Sequence, residues 1–119
     1  MVTRTVTPDC YSIAALDFER RLFDALIPLP DGTSYNAYVI KGSQKTALID
    51  TVDPSKELEL VSDLIRLGVD SIDYVIVNHA EQDHAGSLPM ILELFPSSKV
   101  VTNEKCRDLL ISHLDLEEE

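Results

Sequence analysis

Residues 74–86 read Tyr-Val-Ile-Val-Asn-His-Ala-Glu-Gln-Asp-His-Ala-Gly, a short apolar run followed by nine mostly polar or small residues. The apolar run predicts a β-strand, around which the rest of the chain can be arranged. If the backbone stays extended after the strand, its side chains alternate in direction with a period of two. His79, Glu81 and Asp83 then project to one side, whereas Ala80 and Gln82 project to the other. The spacing therefore predicts one imidazole and two carboxylates on a single face.

This mixed set of nitrogen and oxygen donors suits iron, manganese or zinc. His84 joins the set if the chain turns before Gly86. The segment follows a buried-looking strand, and in open α/β sheets sites gather beyond the carboxyl ends of strands. The alternative is a solvated surface loop, because loops are polar by default. We interpret the segment as a candidate metal site.

Five strands are predicted from short apolar or alternating runs. They are Tyr11–Leu16, Tyr35–Ile40, Thr46–Asp50, Asp73–Val77 and Lys99–Thr102, while residues 17–23 stay unassigned. Residues 28–32 contain two prolines and a glycine and predict a turn. Residues 41–45 form a connection of hairpin length, so the strands on either side of it should be antiparallel neighbours. The unbroken apolar run at residues 74–77 predicts burial on both faces of the sheet.

Three helices are predicted between and after the later strands. Asp53 and Pro54 begin the first helix as N-cap and first helical residue, and Gly68 ends it. Its apolar residues recur at helical spacing and predict one broad buried face: Leu58, Leu60, Val61, Leu64, Ile65 and Leu67. Ser87 should cap a second helix ending near Phe95, and Asn103 a third. An antiparallel beginning that passes into βαβ units predicts an α/β (α+β) fold.

Composition excludes several classes of function. The 119 residues carry a formal net charge of −11, so nucleic acid and anionic membranes would be repelled. No apolar stretch is long enough to cross a bilayer and residues 1–4 have no secretory h-region, which favours the cytoplasm. Cys10 and Cys106 form no C-x-x-C motif, and we expect both to be reduced, buried thiols.

The motif His79-x-Glu81-x-Asp83-His84 resembles the metal motif of the flavodiiron proteins. The upstream segments Gly32–Tyr38 and Ala47–Thr51 look like the same family, so the resemblance covers most of the chain. Hydrolases of the wider metallo-β-lactamase superfamily typically have histidine where this chain has Glu81. The glutamate therefore makes the resemblance point to a non-haem diiron oxidoreductase.

The resemblance implies a metallo-β-lactamase-like αββα sandwich of which residues 1–119 are the first half only. It implies reduction of dioxygen to water or of nitric oxide to nitrous oxide at a centre of two irons. His79 and Glu81 would hold one iron, and Asp83 the other, joined by His84 in some members of the family. The remaining ligands would come from a second half, and electrons from FMN in a flavodoxin-like domain that we expect to be absent here. The four glycines of the chain form no phosphate-binding loop that would hold a flavin.

Asp50 ends an apolar strand, where a short polar side chain usually caps nearby backbone. By resemblance, the matching aspartate supports the metal loop from behind, and we prefer that role. His113, near the end of the last predicted helix, is assigned no role.

Two alternatives stay open. One is a zinc-dependent hydrolase of the same superfamily, which Glu81 disfavours. The other is a non-catalytic chain that needs a partner half, so activity of the chain alone is undecided. The expected partners are the missing C-terminal half or a second copy of the chain in an oligomer. By resemblance the electron donor is rubredoxin or a reduced flavin.

Overall fold

The architecture is a six-stranded sheet whose two halves differ in strand direction. The computed structural model describes residues 2–23 and 26–114. Strands follow the order β1-β2-β5-β6-β7-β8, antiparallel from β1 to β6 and parallel from β6 to β8. Their bounds are β1 Val2–Thr7, β2 Cys10–Asp17, β5 Thr33–Lys41, β6 Thr46–Ile49, β7 Tyr74–Ile76 and β8 Lys99–Val101. A separate two-stranded ribbon pairs β3 Leu22–Phe23 with β4 Ile27–Pro28.

Four α-helices and one 3₁₀ turn follow β6 within the described part of the chain. They are the turn Pro54–Lys56, α1 Glu57–Arg66, α2 Gln82–Ala85, α3 Leu88–Leu94 and α4 Glu104–Leu114. Their buried residues share one core with alternate residues of the sheet. The buried strand residues are register partners on neighbouring strands, so they lie on one face: Ile13, Ala15, Tyr35, Ala37, Val39, Leu48 and Val75. The helices therefore cover one face of the sheet.

The five predicted strands are confirmed, as is the antiparallel pairing of β5 with β6. Strands β1, β3 and β4 and helix α2 were not predicted. The expectation that residues 74–77 are buried on both faces is wrong. Val75 and Val77 are buried, but Tyr74 and Ile76 are partly exposed, because none of the described helices packs on their side of the sheet.

The first predicted helix begins at Pro54 as a 3₁₀ turn, becomes α-helical only from Glu57, and ends before Gly68 as predicted. The Asp53 carboxylate accepts a hydrogen bond from the Ser55 backbone N–H at 3.0 Å, and Gly68 adopts a left-handed φ of 70° after the last turn. Its apolar face is narrower than predicted. Leu58 and Ile65 are 74% and 71% exposed, because they lie on the side of α1 that faces away from the sheet.

The predicted cap of the last helix is confirmed, since Asn103 Oδ1 accepts the Cys106 N–H at 2.8 Å. The predicted side-chain cap at Ser87 is wrong. Ser87 precedes α3, but its hydroxyl donates to the Val52 carbonyl at 2.8 Å instead of accepting a helix N–H. Cys106 is a buried free thiol as expected, whereas the free thiol of Cys10 is partly exposed on β2. Across the described ranges, we find no helix both long and apolar enough to traverse a bilayer.

Candidate metal centre

The candidate centre lies at the carboxyl ends of the parallel strands. Asp50 follows β6, and residues 78–87, which we call the metal loop, follow β7. Asp50 adopts a left-handed φ of 60°, which aspartate tolerates better than most residues. Its Oδ1 accepts the Asn78 backbone N–H at 2.8 Å. Asp50 thus contacts the metal loop directly where the loop leaves the sheet.

The metal loop does not stay extended through Asp83. Glu81 is extended, with φ −68° and ψ 154°, but residues 82–85 form the single turn α2. The turn brings His84 back against His79, and the two imidazole rings stack with centroids 5.2 Å apart and planes 10° apart. The expectation that His79, Glu81 and Asp83 form one extended row is therefore corrected.

The four predicted ligands lie as two histidine–carboxylate pairs. His79 Nε2 is 3.7 Å from Glu81 Oε2, and His84 Nε2 is 3.4 Å from Asp83 Oδ2. Within residues 2–23 and 26–114, no three His, Cys, Asp or Glu side chains are arranged so that they could hold a metal ion together. The donors have the chemistry of an iron, manganese or zinc site, but each pair supplies only part of one coordination sphere.

His84 has a buried ring nitrogen without a hydrogen bond. Among the described residues, its Nδ1 is the buried side-chain atom that lacks a partner, and Asp50 Oδ2 lies 3.8 Å away. A buried polar group without a partner costs about 1–3 kcal/mol. Such groups in native proteins call for an explanation, and a bound ion is one such explanation. This nitrogen is the observation that best fits a metal in the loop.

Four consecutive residues, Asp50 to Asp53, hold the metal loop along its length, and we call them the cradle. Besides the Asp50 contact, the Thr51 N–H and hydroxyl donate to the His84 carbonyl at 2.7 and 2.9 Å. The Val52 carbonyl accepts from Ser87, and Asp53 Oδ2 accepts from Gln82 Nε2 at 3.3 Å. Sequence reasoning found Asp50 but missed Thr51 as a support, and it treated Asp53 only as a helix cap.

Gly86 allows the metal loop to lie close to the start of the first helix. A Cβ atom at Gly86 would lie 2.5 Å from both the Gln82 carbonyl oxygen and Pro54 Cδ. Any larger residue would push the loop away from the cradle. The glycine that seemed to mark only a turn is therefore required for packing.

An open cleft of about 660 Å³ lies between the metal loop and α4. His79, Glu81 and Asp83 line one side of it, and His113 and Lys105 line the other. His113, which the sequence analysis left without a role, thus faces the same cleft as three of the four predicted ligands. The cleft is large enough to admit further protein groups next to the metal loop.

A buried polar network forms the wall of this cleft nearest β2 and β5. The Tyr35 hydroxyl donates to Asp17 Oδ2 at 2.9 Å, and Arg20 Nη2 donates to Asp53 Oδ2 at 3.0 Å. Burial alone would raise the pKa of Asp17, but hydrogen bonds from Tyr35 and the Arg20 backbone outweigh it and lower that pKa. Burial, together with the bond to Asp17, raises the pKa of Tyr35 to about 12.

Comparison with known proteins agrees with this architecture. The profile of the metallo-beta-lactamase superfamily matches residues 30–118. A nitric oxide reductase of Moorella thermoacetica is 40% identical over 111 residues, which are 91% of this chain and 27% of that protein. The chain therefore spans about a quarter of the length of this relative.

Solved structures of similar proteins have the same fold. A flavoprotein from Thermotoga maritima superposes with a TM-score of 0.91 at 31% identity, covering 97% of this chain and 30% of the other. The rubredoxin oxygen:oxidoreductase of Desulfovibrio gigas superposes with a TM-score of 0.89 at 30% identity, covering 99% and 29%. The mixed sheet with helices on one face is thus part of a metallo-beta-lactamase-like domain.

Proposed function

Because the chain belongs to the metallo-beta-lactamase superfamily and corresponds to the N-terminal part of a flavodiiron protein, we propose that it supplies ligands to a diiron oxidoreductase centre. His79 and Glu81 would bind one iron, and Asp83 with His84 the other. The reaction would be reduction of nitric oxide to nitrous oxide or of dioxygen to water. The observation that carries the proposal is the pair of histidine–carboxylate contacts beside the unpartnered His84 Nδ1.

When bound, the two irons would pass electrons from the flavin and its donor to the diatomic substrate, two electrons with two protons for a pair of nitric oxide molecules and four electrons with four protons for dioxygen. Carboxylates such as Glu81 and Asp83 stabilise higher oxidation states of iron better than neutral ligands do. The cradle would hold these side chains in place, because Asp50 and Thr51 hydrogen-bond to the metal loop at Asn78 and His84. Support of this kind behind the ligands commonly changes metal affinity about 10- to 100-fold.

We further propose that residues 1–119 act as the first half of a sandwich domain. Each metal needs more ligands than one histidine–carboxylate pair, and the cleft beside the metal loop is open. The remaining ligands would come from a second half that docks beside His79 and Glu81. FMN and an electron donor such as rubredoxin would act on that complete assembly, since two of the similar proteins are a flavoprotein and a rubredoxin oxygen:oxidoreductase.

The test is reconstitution with the second half of a flavodiiron metal domain supplied as a separate polypeptide. We expect the mixture to retain about two irons per complex after dialysis, because the second half would supply the ligands that the two histidine–carboxylate pairs lack. Glu81→Ala should lose most of this iron, whereas Leu58→Ala, on the exposed side of α1, should retain it. A reconstituted complex without iron would contradict the proposal.

Glu81 also distinguishes the proposed oxidoreductase from a hydrolase. Replacing Glu81 with histidine gives the donor pattern typical of the zinc-dependent hydrolases. Because imidazole suits zinc and carboxylate suits the harder ions, we expect Glu81→His to raise the affinity for zinc relative to iron. Zinc-dependent ester hydrolysis by the reconstituted complex with Glu81 intact would favour the hydrolase instead.

A further inference from the structure

Arg20 lies between two buried carboxylates at the wall of the cleft. Its Nη2 donates to Asp53 Oδ2 at 3.0 Å, and its Nε is 3.6 Å from Asp17 Oδ2. Asp17 and Asp53 are both buried, whereas the Arg20 side chain is about one-third exposed. Arginine suits such a position because its rigid fork of donors can reach two carboxylates while its charge remains partly solvated.

Asp53 joins Arg20 to the metal loop. Its Oδ1 accepts from the N–H and the hydroxyl of Ser55, and its Oδ2 accepts from Arg20 and from Gln82 Nε2. Gln82 is the first residue of α2 and lies between Glu81 and Asp83. Arg20 is therefore linked to the residue that separates two predicted ligands by two hydrogen bonds that share Asp53 Oδ2.

The short helix α2 needs such support from outside. It has four residues, and the side chain of its N-cap residue, Glu81, makes no hydrogen bond to the free backbone N–H groups of the helix. One helical turn is unstable by itself, because nucleation fixes several residues for a single hydrogen bond. The position of its first residue must then be set by tertiary contacts, of which the Gln82–Asp53 bond is one.

We propose that Arg20 is a positioning residue for the metal loop. By holding Asp53 in the orientation that receives Gln82, it fixes the start of α2 and hence the directions of Glu81 and Asp83. The proposal rests on the proposed function only in naming these two carboxylates as ligands. Without Arg20, Asp53 would be a buried carboxylate with neutral donors alone, and it would turn toward solvent and release Gln82.

The test measures amide hydrogen exchange in the metal-free chain. The N–H groups of His84, Ala85 and Gly86 donate within α2 and report on its formation. We expect Arg20→Gln to speed their exchange by at least about tenfold, because local opening governs exchange of such groups. Gln82→Ala should have the same effect without disturbing the buried network, since Gln82 is exposed. Arg20→Lys, which keeps the charge, should restore part of the protection.

Thr3→Ala is the matched control. It removes another hydrogen bond to a buried carboxylate, Thr3 Oγ1 to Asp63 Oδ2 at 2.7 Å, which joins edge strand β1 to α1. We expect Thr3→Ala to lower global stability. The ratio of the amide exchange rates in α2 to those in the core should stay unchanged. Should Arg20→Gln behave as Thr3→Ala does, or should the α2 amides be unprotected in the parent chain, the positioning role is overturned.

A Co²⁺ titration of the same variants, each reconstituted with the second half of the domain, separates this inference from the proposed function. We expect Arg20→Gln and Gln82→Ala to weaken Co²⁺ binding about 10-fold, with altered visible absorption, and Thr3→Ala to leave both unchanged. A reconstituted parent complex that binds no Co²⁺, while Arg20→Gln still loosens α2, would contradict the metal function and support the positioning role. Equal Co²⁺ affinity in the reconstituted parent and Arg20→Gln complexes would overturn the positioning role.

Discussion

The imidazole rings of His79 and His84 lie stacked, with centroids 5.2 Å apart, although four residues lie between them in sequence. The contact exists because the chain turns once at α2 and then returns toward the start of the metal loop. The two rings differ in their surroundings. The side chain of His79 is 48% exposed, whereas His84 has a buried Nδ1 without a hydrogen bond.

Replacing His84 with leucine should not destabilise the metal-free chain. It removes the unsatisfied Nδ1 and leaves Asp83, which is partly exposed, to solvent. We expect the free energy of unfolding in urea to rise by up to about 1 kcal/mol and Co²⁺ affinity to fall. His79→Leu is the control. Because the His79 ring is exposed, its removal should change Co²⁺ affinity without raising the free energy of unfolding. A clear loss of stability in His84→Leu would mean that Nδ1 is satisfied in solution.

Asp50 should contribute to both the stability and the metal affinity of the loop. Because Asp50 has a φ of 60°, alanine there adds backbone strain to the loss of the carboxylate. Glycine removes the carboxylate without that strain, and asparagine keeps an acceptor for the Asn78 N–H but loses the charge beside His84. We expect affinity to fall about 10- to 100-fold in Asp50→Gly and less in Asp50→Asn. Unchanged metal affinity in the reconstituted complex would show that Asp50 only caps the end of the strand.

The sequence predicts the strands and helices that have a buried stripe, and it misses those that do not. Apolar residues alternate in strand β2 and recur at helical spacing in α1. The positions of both elements therefore follow from the spacing of apolar residues alone. Strand β1 reads Val-Thr-Arg-Thr-Val-Thr, and its residues 3–7 are exposed at the sheet edge, so no burial pattern identifies it. Helix α2 has four residues, too few to show a period.

The candidate site was predictable as a set of residues but not as an arrangement. The types and spacing of His79, Glu81 and Asp83 indicate metal chemistry, whereas their pairing depends on a turn that tertiary contacts hold in place. Thr51 and Arg20 could not be assigned from sequence, because their partners are 33 residues away in the chain. Contacts of that range are set by the fold and not by local pattern.

The Tyr35–Asp17 hydrogen bond should make stability depend on alkaline pH. Burial and this bond raise the pKa of Tyr35 from 10.0 to about 12, so the folded state retains a proton that the unfolded state releases first. The stabilisation is therefore complete below pH 10 and is lost as the pH rises toward 12. Two pKa units correspond to about 2–3 kcal/mol. Urea denaturation of Tyr35→Phe should lack this decline, and a parallel decline in both proteins would assign it to other groups.

The chain by itself should bind metal weakly and below one ion per chain. Each histidine–carboxylate pair provides two donors, and stable sites usually need four. Iron and zinc contents measured after anaerobic loading and dialysis should therefore be low, and reductant alone should support no consumption of nitric oxide or dioxygen. A tight site with two metals in a monomer would show that donors outside the metal loop, such as His113 across the cleft, complete it.

The face of the sheet opposite the helices carries a continuous apolar row. Tyr38 is the register partner of Ile49, Ile49 of Ile76, and Ile76 of Val101, so four neighbouring strands each contribute one side chain. Tyr38 and Val101 are 40% and 45% exposed. Contiguous apolar surface of this kind marks an interaction site in soluble proteins. In a sandwich domain, a second sheet packs on such a face.

We therefore predict that the isolated chain associates through this row, while its net charge of −11 keeps the oligomers soluble. Light scattering after size exclusion should give a mass above that of the monomer. Tyr38→Lys places a charge in the row and should weaken association by about tenfold or more, since a buried aromatic side chain contributes about 1.5–3 kcal/mol. Leu58→Lys makes the same charge change on the exposed side of α1 and should leave the mass unchanged. A monodisperse monomer at micromolar concentration that binds no hydrophobic dye would show that the row is covered within one chain, and the half-sandwich interpretation would then be wrong.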